Sequence, residues 1–145
     1  MMTGDLVTIV DSDDFIDPYC FESMLTISPH EDLYCINAQK YDLENNTYME
    51  KASSFNYSTI ITAGKNQKDI IEFDLFSNGF AWSKIFKTEI IKKNHILFDT
   101  RLKHNDDHVF TFKYLLHRNT IAVRSRIGYY WLMRNESLSY DINHF

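Results

Sequence analysis

Leu6-Val7-Thr8-Ile9-Val10, followed at once by Asp11-Ser12-Asp13-Asp14, is the stretch on which the fold class turns. The first five residues form a nearly continuous apolar run rich in β-branched side chains. Such a run predicts a strand buried on both faces, the kind that sits inside a parallel sheet. The three carboxylates then stand at its carboxyl end, the edge of an α/β sheet at which ligands bind. Only residues 1–5 precede the run, and a central parallel strand normally takes its neighbours from earlier βα units. The expectation is that further sequence belongs upstream.

Downstream, the pattern is that of an α/β chain. Asp17 and Pro18 suit the cap and first residue of a helix running to about Ile27 and ending before Pro29. Residues 33–41 read as a strand, and residues 43–51 as its hairpin partner across Glu44-Asn45-Asn46. Residues 66–76 have helical spacing. Residues 81–86 read as a short strand, and Thr88 as the cap of a helix over residues 89–94. Residues 107–117 carry a broad apolar face and predict the best helix in the chain. Residues 120–124 and 128–133 read as two strands.

With 145 residues, 44% hydrophobic and 24% charged, the chain reads as one soluble globular domain. A net charge of −5 without a basic stripe argues against a nucleic-acid surface. No apolar run approaches the roughly 20 residues a membrane span needs. Cys20 and Cys35 lie among apolar residues and read as reduced, buried thiols, as expected of a cytoplasmic protein.

Three carboxylates within four residues repel one another unless a cation sits among them, and hard divalent ions prefer such oxygens. The competing reading is a solvated acidic turn that caps the next helix. A calcium loop is excluded: Asp11, Asp13 and Glu22 keep its spacing, but Phe15 fills a ligand position and Ile16 stands where glycine is needed. Two enzyme chemistries remain. One is a phosphatase of the haloacid-dehalogenase type, with Asp11 as nucleophile, Asp13 as acid and Asp106-Asp107 serving the metal. The other is a nucleotide-sugar transferase, in which the carboxylates hold the ion that neutralises a diphosphate leaving group.

Residues 10–18, Val-Asp-Ser-Asp-Asp-Phe-Ile-Asp-Pro, resemble the metal-binding segment of family 2 glycosyltransferases, which have the GT-A fold. Ala81-Trp82-Ser83-Lys84-Ile85-Phe86 is similar to that family's Trp-x-Lys segment, and Asp106-Asp107-His108-Val109-Phe110 to its Glu-Asp segment opening a helix. Tyr129-Tyr130-Trp131 with Arg134 and Ser137 resembles its closing aromatic, Arg and Ser pattern. The pieces occur in family order. Two departures stand out. The Glu-Asp pair is Asp106-Asp107 here, one methylene shorter, and the family's N-terminal nucleotide-binding part is absent.

The resemblance implies a partial GT-A mixed sheet flanked by helices, with residues 1–145 forming one partial domain. It implies transfer of a sugar from a nucleotide-diphosphate donor to a hydroxyl of a glycan or lipid-linked acceptor, with inversion. Asp13 and Asp11 would hold Mn²⁺ or Mg²⁺; Asp11, Asp13, Trp82, Lys84 and Arg134 would meet the sugar donor. Asp107, with Asp106 second, would be the general base. The same resemblance suggests polysaccharide synthesis in the cytoplasm, at the inner face of the membrane. If sequence is missing upstream, an open flank of the first strand would invite pairing with a second copy, as a homodimer. Without the nucleotide-binding part, the isolated chain is expected to be weak or inactive. The rival from another class is a partial domain that only binds. His95, His104, His108 and His117 show no ligand spacing, and His144 is a weak metal candidate.

Overall fold

The computed structural model describes residues 2–26, 28, 30–53, 55, 56, 58–62 and 78–134. The elements run β1 (Leu6–Thr8), β2 (Phe15–Ile16), α1 (Cys20–Leu25), β3 (Leu33–Asp42), β4 (Thr47–Lys51), β5 (Thr59–Thr62), β6 (Lys84–Lys87), α2 (Thr88–Lys93), α3 (Asp106–Leu115) and β7 (Thr120–Met133). The strands form one mixed sheet in the order β1-β6-β3-β7-β2, with β4 added to β3 and β5 to β7. The expected helix over residues 66–76, together with Ser137 and His144, lies outside the described residues.

The spine of the sheet is the parallel pair β3–β7. From Leu33 to Ala38 every β3 residue is buried, and successive side chains enter opposite cores because a strand has a period of two. Leu33 and Cys35 join Phe86, Phe110 and Tyr114 on one face. Tyr34 and Ile36 join Cys20 and Met24 of α1 on the other. A sheet with helices on both faces is the α/β arrangement the sequence predicts. No described helix is long and apolar enough to cross a membrane.

The strand that decides the fold class is not the interior one. Among the described residues β1 pairs only with β6, antiparallel, at the edge of the sheet. Leu6 and Val10 are 36% and 41% exposed. An apolar, β-branched run reports what its faces would bury; it does not report how many strands flank it. The interior parallel strand is β3.

Several boundaries also move. Asp17 Oδ1 accepts the Tyr19 N–H at 2.8 Å, as a capping carboxylate does, but α1 begins at Cys20, two residues later than Pro18 suggests. Thr88 opens α2 without capping it, and its Oγ1 is buried with no hydrogen-bond partner. The two strands expected over residues 120–133 are one strand, β7, whose pairing with β3 shifts register around Asn37. Asn37 fills that irregularity: its Nδ2 donates to the Ser125 and Phe55 carbonyls at 2.8 and 3.0 Å, and its Oδ1 accepts the Phe55 N–H at 2.7 Å. These bonds satisfy backbone groups that the interrupted ladder would leave unpaired.

Candidate functional site

The acidic turn lies between β1 and β2 and closes with the Asp14 N–H on the Asp11 carbonyl at 3.1 Å. It is tied down from β7. Asp14 Oδ2 accepts the Tyr129 hydroxyl at 2.6 Å, and Asp14 Oδ1 accepts the Leu132 N–H at 2.9 Å. The same Tyr129 oxygen accepts the Asp11 N–H at 3.2 Å. Of the three carboxylates, Asp14 is therefore the anchor, while Asp11 and Asp13 are exposed and hold no side-chain hydrogen bond to a described residue.

Opposite the turn, α3 presents Asp106 and Asp107 in its first turn, where carboxylates are favoured by the helix dipole. Asn105 precedes them at φ 60°, a left-handed conformation that asparagine tolerates better than most residues. A cavity of about 560 Å³ opens between the two walls. Asp11 and Ile9 line one side and Asp106, Asp107 and His108 the other; Phe80, Trp82 and Trp131 lie between them, and Lys103 and His104 are at the rim. Trp82 is 5% exposed and stacks between Phe80 (4.5 Å, 15°) and Tyr129 (4.9 Å, 12°). The stack thus joins the cavity wall to the tyrosine that anchors the acidic turn.

The electrostatics follow from this arrangement. Partial desolvation pushes Asp11 above the ordinary carboxylate value, and the charges of Asp14, Asp13, Asp107 and Asp106 push it further in the same direction. Asp14 is also raised, by desolvation first, against the lowering effect of its bonds from Tyr129 and Leu132. The cavity thus gathers negative charge from both ends of the chain. Among the described residues no group of three or more His, Cys, Asp or Glu side chains is arranged to hold a metal. Asp11 and Asp13, the exposed carboxylates of the turn, are oxygen donors of the kind that hard divalent ions prefer.

Not every residue implied by the resemblance lies in the cavity. Asp11, Trp82, Asp106 and Asp107 line it. Asp13 is exposed beside it and acts on Asp11 through its charge. Lys84, expected to meet the sugar donor, is 2% exposed, and its Nζ donates to the Phe80 carbonyl at 2.7 Å. It braces the Phe80–Trp82 wall from behind. Arg134 is exposed at the end of β7 and favours ionised Asp14 through its charge; it does not line the cavity.

Two contributors escaped sequence reasoning. Tyr129 was visible only as one of three aromatics, because its partner Asp14 lies 115 residues away. His108 carries no motif spacing, yet it lines the cavity and touches Asp107. Cys20 and Cys35 are free and buried, and burial pushes each thiol up to about 11.

No family model matches the chain. It is 26% identical over 131 residues to EpsH of Bacillus subtilis (strain 168), a glycosyltransferase by assignment, covering 88% of this chain and 37% of that protein. Over 54 residues it is 39% identical to the poly(ribitol-phosphate) beta-N-acetylglucosaminyltransferase TarS of Staphylococcus aureus (strain Mu50), covering 37% of this chain and 9% of TarS. A crystal structure of S. aureus TarS in complex with UDP-GlcNAc superposes with a TM-score of 0.75 at 26% identity, covering 94% of this chain and 37% of the TarS chain. The TarS complex with UDP superposes with a TM-score of 0.69. The chain spans a little over a third of the length of EpsH and of that crystallised TarS chain. In sequence and in fold, the chain is similar to part of the glycosyltransferases EpsH and TarS.

Proposed function

We propose that this chain is the metal-side and acceptor-side segment of a glycosyltransferase that moves a sugar from a nucleotide-diphosphate donor to an acceptor hydroxyl in glycan or polysaccharide synthesis. The observation that carries this reading is the shared cavity. Asp11 of the acidic turn faces Asp106 and Asp107 of α3 across aromatic walls, in a fold that superposes on TarS bound to UDP-GlcNAc. That neighbour makes a UDP-linked sugar the first donor to test. Neither EpsH nor TarS is a phosphatase by name, and the phosphatase alternative is not favoured.

In this reading Asp13 and Asp11 would hold Mn²⁺ or Mg²⁺, and the ion would offset the charge that builds on the leaving diphosphate. Asp107 takes the proton of the acceptor hydroxyl as general base, an effect worth about 10²–10⁴-fold. One base and direct displacement invert the anomeric centre. Trp131, partly exposed in the cavity, supplies an aromatic wall against which a sugar ring can pack, while Trp82, stacked between Phe80 and Tyr129, backs that wall.

A thermal-shift titration of the purified chain with UDP and UDP-GlcNAc, with and without Mn²⁺, tests this. Ligand at about 100 times its Kd stabilises by about 2.7 kcal/mol, which raises Tm by roughly 5–10 °C in a chain of this size. The expected result is a metal-dependent rise that Asp13→Ala removes. No response to any nucleotide sugar, in the presence of metal, would favour a domain that only binds some other partner.

A further inference from the structure

We infer that His108 is a positioning residue for Asp107: it fixes one carboxylate oxygen from two directions and leaves the other to take a proton. The inference rests on the transferase reading above, in which Asp107 is the base.

Both contacts converge on Oδ1. The His108 backbone N–H donates to it at 2.8 Å, and the His108 Nδ1 stands 3.0 Å from it. No hydrogen bond from a described residue reaches Oδ2. The backbone contact has an ordinary source, since the first N–H groups of a helix have no intrahelical partner and take a nearby acceptor. It does not account for the ring.

The ring is itself held in place. Phe80 meets it edge-on, 4.7 Å between centroids at 69°, and Phe80 is stacked on Trp82. On another side lies Gly79, where a Cβ would overlap His108 Cδ2 and Cγ. Only a residue without a side chain lets the backbone approach the imidazole so closely. The aromatic wall of the cavity and the α3 carboxylate are thereby locked to each other through one histidine.

The consequence is directional. With Nδ1–H donating to Oδ1, the neutral imidazole carries its single proton on Nδ1. Asp107 then presents Oδ2 to the cavity. In the transfer step the acceptor O–H bond breaks and its proton moves to Oδ2. The freed electron pair forms the new bond to the anomeric carbon, and the sugar–phosphate bond breaks with its electrons leaving on the nucleoside diphosphate. Misplacing a reacting group by about 1 Å can cost on the order of 100-fold in rate, so loss of the ring contact should reduce kcat more than it changes sugar-donor binding.

Two measurements on the full chain test this. The first is ¹⁵N NMR of the His108 imidazole. The Nδ1–H form is expected in the wild type, and it should lose its dominance in Asp107→Ala. An Nε2–H form in the wild type, unchanged by that substitution, overturns the inference. The second is transferase kinetics. His108→Phe, which keeps the ring but not the N–H, should lower kcat by about 10–100-fold with little change in the sugar-donor KM. His108→Asn, which can place an amide N–H near the Nδ1 position, should recover much of that loss. An active wild type whose kcat survives His108→Phe overturns the positioning role alone. A wild type that binds no nucleotide sugar in the presence of Mn²⁺ overturns the transferase reading, and the positioning role with it; where it binds without measurable turnover, the imidazole spectrum decides the positioning role.

Discussion

The hydroxyl of Tyr129 donates to Asp14 Oδ2 at 2.6 Å while accepting the Asp11 N–H at 3.2 Å, so one buried oxygen holds both ends of the acidic turn. The turn's shape is therefore set by β7, which is also the strand that carries Trp131 into the cavity.

Tyr129→Phe should keep the stacking on Trp82 and remove only this oxygen. It leaves Asp14 Oδ2 and the Asp11 N–H without their partner. Hydrogen bonds to charged groups contribute about 1.5–3 kcal/mol, and a loss of that size is expected in chemical denaturation. Weaker metal-dependent UDP binding should accompany it, because Asp11 and Asp13 flank the released turn. Unchanged stability together with unchanged binding would show that the tie does not shape the turn.

Asp11→Asn should raise the melting temperature near neutral pH. Asp11 titrates above its ordinary 3.8, so the folded chain holds the Asp11 proton more tightly than the unfolded chain does. Stability from this group is full below 3.8 and is lost as pH rises through the raised folded value. Above that window the ionised carboxylate opposes folding, beside Asp14, Asp13, Asp107 and Asp106. The gain from Asp11→Asn should vanish when melting is measured below pH 3.8. A gain that persists unchanged in acid would point to a cause other than charge.

Lys84→Met should leave sugar-donor binding intact, against what the Trp-x-Lys resemblance implies. Lys84 is 2% exposed and does not line the cavity. Burial lowers its pKa from the ordinary 10.5, while Cys35 and Asp107 act in the opposite sense. Burial therefore works against the charged ammonium, and the stability contributed by this group rises as pH climbs from the lowered value toward 10.5. Methionine, of similar volume, removes the cost of desolvating an ammonium, which offsets the loss of the hydrogen bond to the Phe80 carbonyl. The expected outcome is an unchanged or higher Tm with unchanged UDP affinity by calorimetry. A large loss of affinity would return Lys84 to the sugar-donor site.

The sequence by itself determined a good deal here. The α/β class, the hairpin across Glu44-Asn45-Asn46, the α3 helix and the positions Asp11, Trp82, Asp106 and Asp107, which line one cavity, were all legible, because each depends on local periodicity or on an ordered motif. Strand neighbours were not legible. The run over residues 6–10 looks like a central strand and forms an edge, while the less conspicuous β3 lies at the centre. Face burial is written in side-chain type, whereas strand pairing depends on backbone groups that every residue possesses. Nor could the sequence divide the carboxylates into an anchor, Asp14, and a free pair, Asp11 and Asp13. That division rests on a hydroxyl 115 residues away. The placement of Lys84 behind the wall and the contact of His108 with Asp107 were likewise decided only when β6, β7 and α3 came together. A motif lists which groups are present; the packing of the sheet decides which of them reach the cavity.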